Sequence, residues 1–476
     1  IGNYKVTLFE NKNMKDGDKL ILNGPGFFNL TAWATEDAKD KSIFDDKTEA
    51  VSIESNTQHP SVLSNVPGYQ GLVLLRGDLH SHTLWSDAYW GGSGGIHYIQ
   101  DPCQTFRIYQ DLGYDFAGVS DHVFGADKNG SERYSVGAPR SIPGLAPKYA
   151  MTEDEWENTE KQASKAEHNY NFASIAGYEY GLGGVSYEQK YIADNDYDMV
   201  AHYNVFCSTD FYYGKPDKWD NNSNNRKDFY QWASNQYEYN KDLIVQFNHP
   251  SKQGAAYNDF DSTEAVDENN QPINRAAFSL CELLTVHSDG EDRDFFDAYV
   301  KALNNGWKVG PTATSDNHDG IKALKDVYKN IRTVVAVEEC SKNHVLDALR
   351  KRRVYATTRA GLNIGFSITN SDGQTVIMGG DINSLSSDLN ICIGLSGDLE
   401  SDEITAIKLY TNVSAPISLD ITKSWPMLVN CKYLSNRLEG LKYIFVVVET
   451  KEYNKQDPTQ KYGTFAAATA PIWIID

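Results

Sequence analysis

The chain has 476 residues, a formal net charge of -21, 40% hydrophobic residues and 12% aromatic residues. This composition excludes disorder, and the length allows more than one hydrophobic core. The acidic balance argues against a nucleic-acid backbone or an anionic membrane as the main partner. It leaves an anionic substrate open, because bound cations can invert the local field. No apolar run approaches the length of a membrane span. The first residue is Ile1, not Met, which is compatible with a removed leader. With an acidic surface rich in Tyr, Asn and Asp, the chain is expected to be exported, whether periplasmic, at the cell surface or secreted. Six cysteines are scattered without a CxxC pair, which argues against a zinc–thiolate site. Cys392 and Cys431 are candidates for a disulfide, and the others read as buried thiols.

In chain order, residues 1–70 read as an N-terminal β unit. Its expected strands are Tyr4–Phe9, Lys19–Leu22 and Phe27–Trp33, separated by Asp16-Gly17-Asp18 and Gly24-Pro25-Gly26 turns. From residue 71 to 360 apolar strand-like runs alternate with amphipathic helical stretches. The expected strands are Leu72–Leu75, Phe116–Val119, Ala173–Ala176, Tyr203–Phe206, Leu243–Phe247, Leu280–Val286, Lys308–Ala313 and Arg332–Val337. The expected helices are Cys103–Leu112, Glu153–His168, Arg226–Tyr239, Asp292–Asn304 and Lys342–Arg352. Such alternation predicts an α/β fold, a β/α barrel with its site at the C-terminal strand ends. In residues 361–476 helices give way to short strands such as Leu389–Leu395, Ile404–Tyr410, Lys442–Val448 and Ile472–Ile475, which predicts a C-terminal β-sandwich.

Histidines and carboxylates fall where those strands should end. Asp78-Leu79-His80-Ser81-His82-Thr83 follows the first barrel strand, Ser120-Asp121-His122 the second and Gly177-Tyr178-Glu179 the third. His202 opens the next run, and Asn248-His249-Pro250 and Asp316-Asn317-His318 follow two later strands. Imidazole and carboxylate donors suit zinc, manganese or iron. Residues two apart on a strand face the same way, so His80 and His82 can grip one ion. Asp316 and His318 can do the same or serve two adjacent ions. Glu179 has two oxygens and is assigned as a bridge between metals. A single histidine is more often structural than a ligand, but six at strand ends point to a metal centre. His59, His168 and His344 are expected to lie outside it, and His97 and His287, which could line a pocket, are not expected to ligate.

Taken together, these motifs, with Ser86-Asp87, resemble the PHP (polymerase and histidinol phosphatase) family over about residues 71–358. The resemblance implies a distorted seven-stranded β/α barrel binding two or three divalent ions. One ion would take His80, His82, Glu179 and Asp316. A second would take Glu179, His202 and His249, and a third Asp87, His122 and His318. A turn or helix cap is the plainer reading of Asp87. Leu349–Thr358 and Ala470-Pro471-Ile472-Trp473-Ile474 resemble the carbaryl-hydrolase-like branch of that family.

The expected activity is hydrolysis of a small phosphate ester by a hydroxide held between two ions. Carboxyl or carbamate ester hydrolysis and a non-catalytic, metal-stabilised binding protein are the alternatives. Glu179 and His122 are expected at the reaction centre. Asp121 would orient a ligand or move a proton, and Asn204 and Asn248 would support the ligands. Stretches 84–102, 123–150, 181–200 and 208–240 should overhang the site. They carry Trp85, Tyr89, Trp90, Tyr134, Tyr187, Tyr212, Tyr213 and Trp219, which suit a sugar, nucleoside or aryl group or serve as loop packing. Arg140 and Lys215 are candidate phosphate contacts.

Overall fold

In the computed structural model, three backbone strands are described at 4–9, 19–23 and 50–55. The remaining described residues are 62–83, 85–86, 101–124, 151–170, 172–182, 201–212, 223–250, 255–267, 269–286, 292–318, 330–383, 388–397, 399, 403–421, 424–451 and 465–475. The expected strand Phe27–Trp33 and residues Asp87, Tyr89, Trp90, Tyr134, Arg140, Tyr187, Tyr213, Lys215 and Trp219 lie outside them, as do His59, His97 and His287. No helix among the described residues is long and apolar enough to cross a membrane.

Strands β1 (Tyr4–Phe9), β2 (Lys19–Asn23) and β3 (Ala50–Ser55) form an antiparallel sheet with β1 in the middle. The central elements begin with β4 (Val73–Asp78), α1 (Pro102–Asp111), β5 (Phe116–Phe124), α2 (Glu153–Tyr170), β6 (Ala173–Leu182) and β7 (Ala201–Phe206). They continue with α3 (Ser223–Tyr239), β8 (Ile244–Asn248), β9 (Phe278–Val286), β10 (Asp292–Asp294), α4 (Phe296–Asn304) and β11 (Gly310–Thr314). The last are β12 (Arg332–Val337), α5 (Lys342–Arg350) and β13 (Val354–Thr357). The expected helix from Asp292 is instead the short β10, paired antiparallel with β9, followed by α4.

Helix ends obey local chemistry. Asp101 caps α1 through the Gln104 amide at 2.8 Å, with Pro102 in the first turn. Thr152 and Glu155 cap the start of α2 reciprocally, side chain to backbone at 2.9 and 3.3 Å. Ser341 caps α5, which buries Val345, Leu346, Ala348 and Leu349 on one face.

The fold is a mixed α/β arrangement dominated by strands. Among the described residues one large mixed sheet runs β10-β9-β8-β7-β6-β5-β4-β12-β13 and continues into strands of the C-terminal region, with β11 on β9. Backbone ladders alone do not close it into a barrel. β11 reaches β12 through the Thr333 side chain, whose hydroxyl donates to the Ala313 carbonyl and accepts from the Ala313 amide.

The remaining strands are β14 (Leu362–Thr369), β15 (Thr375–Ile377), β16 (Asp381–Asn383), β17 (Leu389–Gly397), β18 (Ile404–Thr411) and β19 (Ile417–Ser418). After them come β20 (Met427–Tyr433), β21 (Tyr443–Thr450), β22 (Phe465–Thr469) and β23 (Ile472–Ile475). A separate sheet, β15-β14-β17-β20, shares one apolar core with β18, β21, β22 and β23 of the large sheet. Leu63, Val66 and Tyr69 ahead of β4, and Val334 and Tyr355 of β12 and β13, enter the same core. Cys392 and Cys431 do not pair. Register sets Cys392 opposite Asn430 and Cys431 opposite Ile391, so the two thiols face opposite sides of the sheet and stay free.

One face of the central strands positions the site. Alternate residues Phe116, Ile175, Phe206, Ile244 and Leu280 join Leu75, Val335 and Val337 in an apolar floor. Continuing each strand by two-residue steps gives Ser120 and His122 on β5, Glu179 on β6, Gln246 and Asn248 on β8, and Glu282 on β9. Glycine makes room for the floor: a Cβ on Gly177 would sit 2.4 Å from the Phe206 ring, and one on Gly77 2.3 Å from the Phe116 ring.

Candidate metal centre

β7 runs antiparallel to both β6 and β8. On this reversed strand the two-residue sequence from floor to site is Phe206, Asn204, His202. The imidazole therefore comes from the start of the strand, while its neighbours supply side chains from their far ends. Two other motifs also sit differently from expectation. Ser120-Asp121-His122 and Glu179 lie within β5 and β6, not after them, and register places His122 directly opposite Glu179.

Glu179 is fully buried, and the predicted histidines surround it. Its Oε1 lies 3.3 Å from His80 Nε2, 3.1 Å from His202 Nδ1 and 3.2 Å from His249 Nε2. Its Oε2 lies 2.8 Å from His122 Nδ1 and 3.6 Å from His82 Nε2. Asp316 Oδ1 is 3.1 Å from His80 Nε2 and 3.0 Å from His82 Nε2, and His318 Nδ1 is 3.6 Å from it. Four trios hold donor atoms within 4.8 Å of one another: His80/His82/Glu179, His80/His249/Asp316, His122/Glu179/His202 and His82/His122/His318. Of the nine expected ligands, eight are thus brought together, and Asp87 lies outside the described residues. His168 and His344 are on helices and stand apart from these groups.

The donor set fits divalent ions. It offers imidazole and carboxylate without thiolate, the set suited to zinc, manganese or iron. Glu179 Oε2 is buried and, despite its 2.8 Å approach to His122, makes no aligned hydrogen bond among the described residues. A buried carboxylate oxygen without a donor is costly unless a cation meets it. This buried His/Glu/Asp cluster is able to bind metal ions, and its side chains are 14% exposed at His202, 16% at His249 and 24% at His318, which marks the open side.

Electrostatics reinforces the pattern. Burial alone would raise Glu179, but His202, His80 and His122 outweigh it and hold the carboxylate well below its usual range. Burial would likewise depress His80, yet Asp316, Glu179 and Glu282 carry it well above 6.5. His202 falls below its usual value because its burial outweighs the attraction of Glu179. A charged Glu179 and a neutral His202 are the states suited to metal ligation.

The supporting shell was only partly foreseen. Asn248 Nδ2 donates to Glu179 Oε1 at 2.8 Å and to Asn204 Oδ1 at 2.7 Å, as expected of these two residues. Asp121 accepts from the Thr83 amide, the Thr83 hydroxyl and the Ser86 hydroxyl at 2.7, 2.7 and 2.6 Å, which ties it to the segment after His82. Sequence reasoning missed three residues. Tyr257 hydroxyl bonds the His202 carbonyl and both the amide and carbonyl of Asn248, joining the ends of β7 and β8. Asp78 accepts from the His80 amide, Ser315 and Tyr109. Glu282 bonds His80 and the His249 amide. Its signal was present in the sequence: it is the lone charged residue in the apolar run Leu280–Val286.

Two of the aromatic residues expected over the site are described. Trp85 packs against the main core, and Tyr212 packs among Tyr180, Phe229 and Trp232 in edge-on and tilted contacts with ring centroids 4.8–5.5 Å away. Both serve packing. No family model, curated protein or solved structure matches the chain.

Proposed function

We propose that the chain is a metal-dependent hydrolase of the PHP type that acts on a small phosphate ester. The observation that carries this reading is the convergence of five imidazoles on one buried carboxylate, all within 3.6 Å of Glu179. His80, His82, Glu179 and Asp316 would hold one ion, and Glu179, His202 and His249 a second. His122 and His318, with Asp87, would hold a third. Bound ions would supply Lewis acidity and lower the pKa of coordinated water.

The protein's own part is to fix these donors and balance their charge. Glu179 stays ionised among the histidines, and Asn248 restricts its carboxylate. Asp121 accepts from the Thr83 amide and hydroxyl and from the Ser86 hydroxyl, which favours orientation of the His82 segment over proton transfer. Substrate would enter from the side of His202, His249 and His318. The Thr333 link between β11 and β12, and the shared apolar floor, support closure of the central strands into a distorted barrel.

The test is metal analysis of the purified protein, followed by turnover of chromogenic phosphomonoester, phosphodiester and carboxyl ester substrates. Chelation should abolish phosphoester turnover, and Mn²⁺ or Zn²⁺ should restore it. Turnover of the carboxyl ester alone would move the substrate class to carboxylic or carbamic esters. Full activity in rigorously metal-free protein would sink the reading.

A further inference from the structure

We infer that Glu282 is the positioning residue of the metal centre: its buried carboxylate sets the tautomer of His80 and anchors the strained backbone of His249. The inference rests on the metal-binding reading above and adds a residue outside the proposed ligand set.

Glu282 is fully buried, and each of its oxygens has a distinct task. Oε1 lies 2.7 Å from His80 Nδ1 and also accepts from Thr314 Oγ1 at 2.8 Å and Gln246 Nε2 at 3.1 Å. Oε2 accepts from the His249 backbone amide at 2.5 Å and Thr285 Oγ1 at 3.0 Å. Thr314, Gln246, Thr285 and the His249 amide all donate to this carboxyl group, so it acts as an acceptor and the His80 proton facing it resides on Nδ1. In the neutral form that ligates a metal, Nε2 is then the unprotonated nitrogen, and it faces Glu179 Oε1 and Asp316 Oδ1 at 3.3 and 3.1 Å. This is the carboxylate–histidine arrangement that fixes a ligating ring and strengthens it as a donor.

The second oxygen does different work. His249 has φ of 25°, a left-handed backbone for a residue that also precedes proline. Such conformations persist only where surrounding bonds over-determine them. The Glu282 bond to the His249 amide is one such constraint, and it places the ring with Nε2 3.2 Å from Glu179 Oε1. One side chain thus aligns donors from two separate strand ends, after β4 and after β8.

Glutamine at this position meets an unavoidable conflict. If its amide nitrogen faces His80, the imidazole must move its proton to Nε2, where the cation would bind. If the amide turns over, its NH₂ opposes the His249 N–H. Metal alone, titrated by calorimetry into chelator-stripped protein, tests this. Glu282→Gln should bind Mn²⁺ about 10- to 100-fold more weakly than wild type, the usual effect of losing such a partner. Phe366→Ala, a core change far from the cluster in the sequence and in a different apolar core, should lower stability and leave the Mn²⁺ affinity unchanged. Equal affinity in wild type and Glu282→Gln overturns the positioning role alone. Absence of binding by wild type overturns the metal reading and this inference with it. Should Glu282→Gln fail to fold, long-range ¹H–¹⁵N spectra of Zn²⁺-loaded wild type decide: a His80 proton on Nδ1 supports the role, and one on Nε2 overturns it.

Discussion

The large sheet supports two interiors built on opposite principles. At the end of β4–β9 that carries the His/Glu/Asp cluster, buried positions are occupied by His80, Glu179, Asn204, Gln246, Asn248 and Glu282, each fully excluded from solvent. In the C-terminal strands, the core is Ile364, Phe366, Ile391, Ile393, Val446, Val448 and Ile472, with hardly a polar group among them. Apolar burial of the second kind stabilises roughly in proportion to area and tolerates substitutions of similar volume. Polar burial of the first kind stabilises little until every donor and acceptor is met, and each unmet group costs about 1–3 kcal/mol. The contrast teaches that one end is organised to hold charge in place and the other to hold the chain together. Phe116, Ile175, Phe206 and Leu280, on the same strand faces as the polar cluster, form a separate apolar floor.

Substitutions can break this division. Glu179→Gln should have the largest effect on activity. It keeps the volume but removes the charge that balances the histidines, and should lower kcat by about 10³-fold, roughly 4 kcal/mol of barrier. Metal content and kcat measured beside Asp87→Asn, at the same metal supply, check this. The idea fails if Glu179→Gln keeps two tightly bound ions and normal turnover while Asp87→Asn is inactive.

Phe366→Ala is the mirror experiment. The ring is completely buried, and its loss should cost about 3–5 kcal/mol of stability. Turnover per folded molecule should stay at the wild-type level. Chemical denaturation followed by activity at low denaturant measures both, and a parallel loss of metal affinity would mean that the two interiors are coupled.

Acid should separate the interiors as well. Without metal, His80 is held protonated to well above its usual pKa, so its favourable interactions are fully present below about pH 6.5 and lost as pH rises through the elevated value. Metal binding reverses the demand, because the ligand must be neutral and its proton must leave. Affinity should therefore fall as pH drops through that elevated value, with proton release on binding visible as a buffer-dependent binding enthalpy. A binding enthalpy independent of buffer would contradict this.

Asp115 provides the smallest and most local test. Burial pushes its carboxyl up from 3.8 to about 6, against the pull of Arg76, whose amide it accepts at 2.8 Å. A carboxyl with a raised pKa binds its proton more tightly in the folded state. Its contribution is favourable below about pH 3.8 and is lost as pH rises to about 6. Asp115→Asn should flatten that part of the stability profile without altering metal content. An unchanged slope between pH 4 and 6 would show that the group does not carry it.

By itself the sequence determined the alternation of strands and helices, the strand-rich tail and the identity of the clustered histidines and carboxylates. Each follows from a short-range regularity: the period of apolar residues, or a histidine or carboxylate placed where an apolar run gives out. The reversal of β7 was not legible, because a strand has the same two-residue period in either direction and only its partners fix its sense. Nor was the separation of Cys392 from Cys431, since a register difference of one residue turns a side chain to the other face. The apolar core shared by residues before β4 and after residue 360 likewise depends on contacts far apart in the chain. Glu282 shows the limit most clearly. A single carboxylate inside an apolar run is visible in the sequence, but its two partners come from strand ends 202 and 33 residues away, and only tertiary packing brings them to its two oxygens.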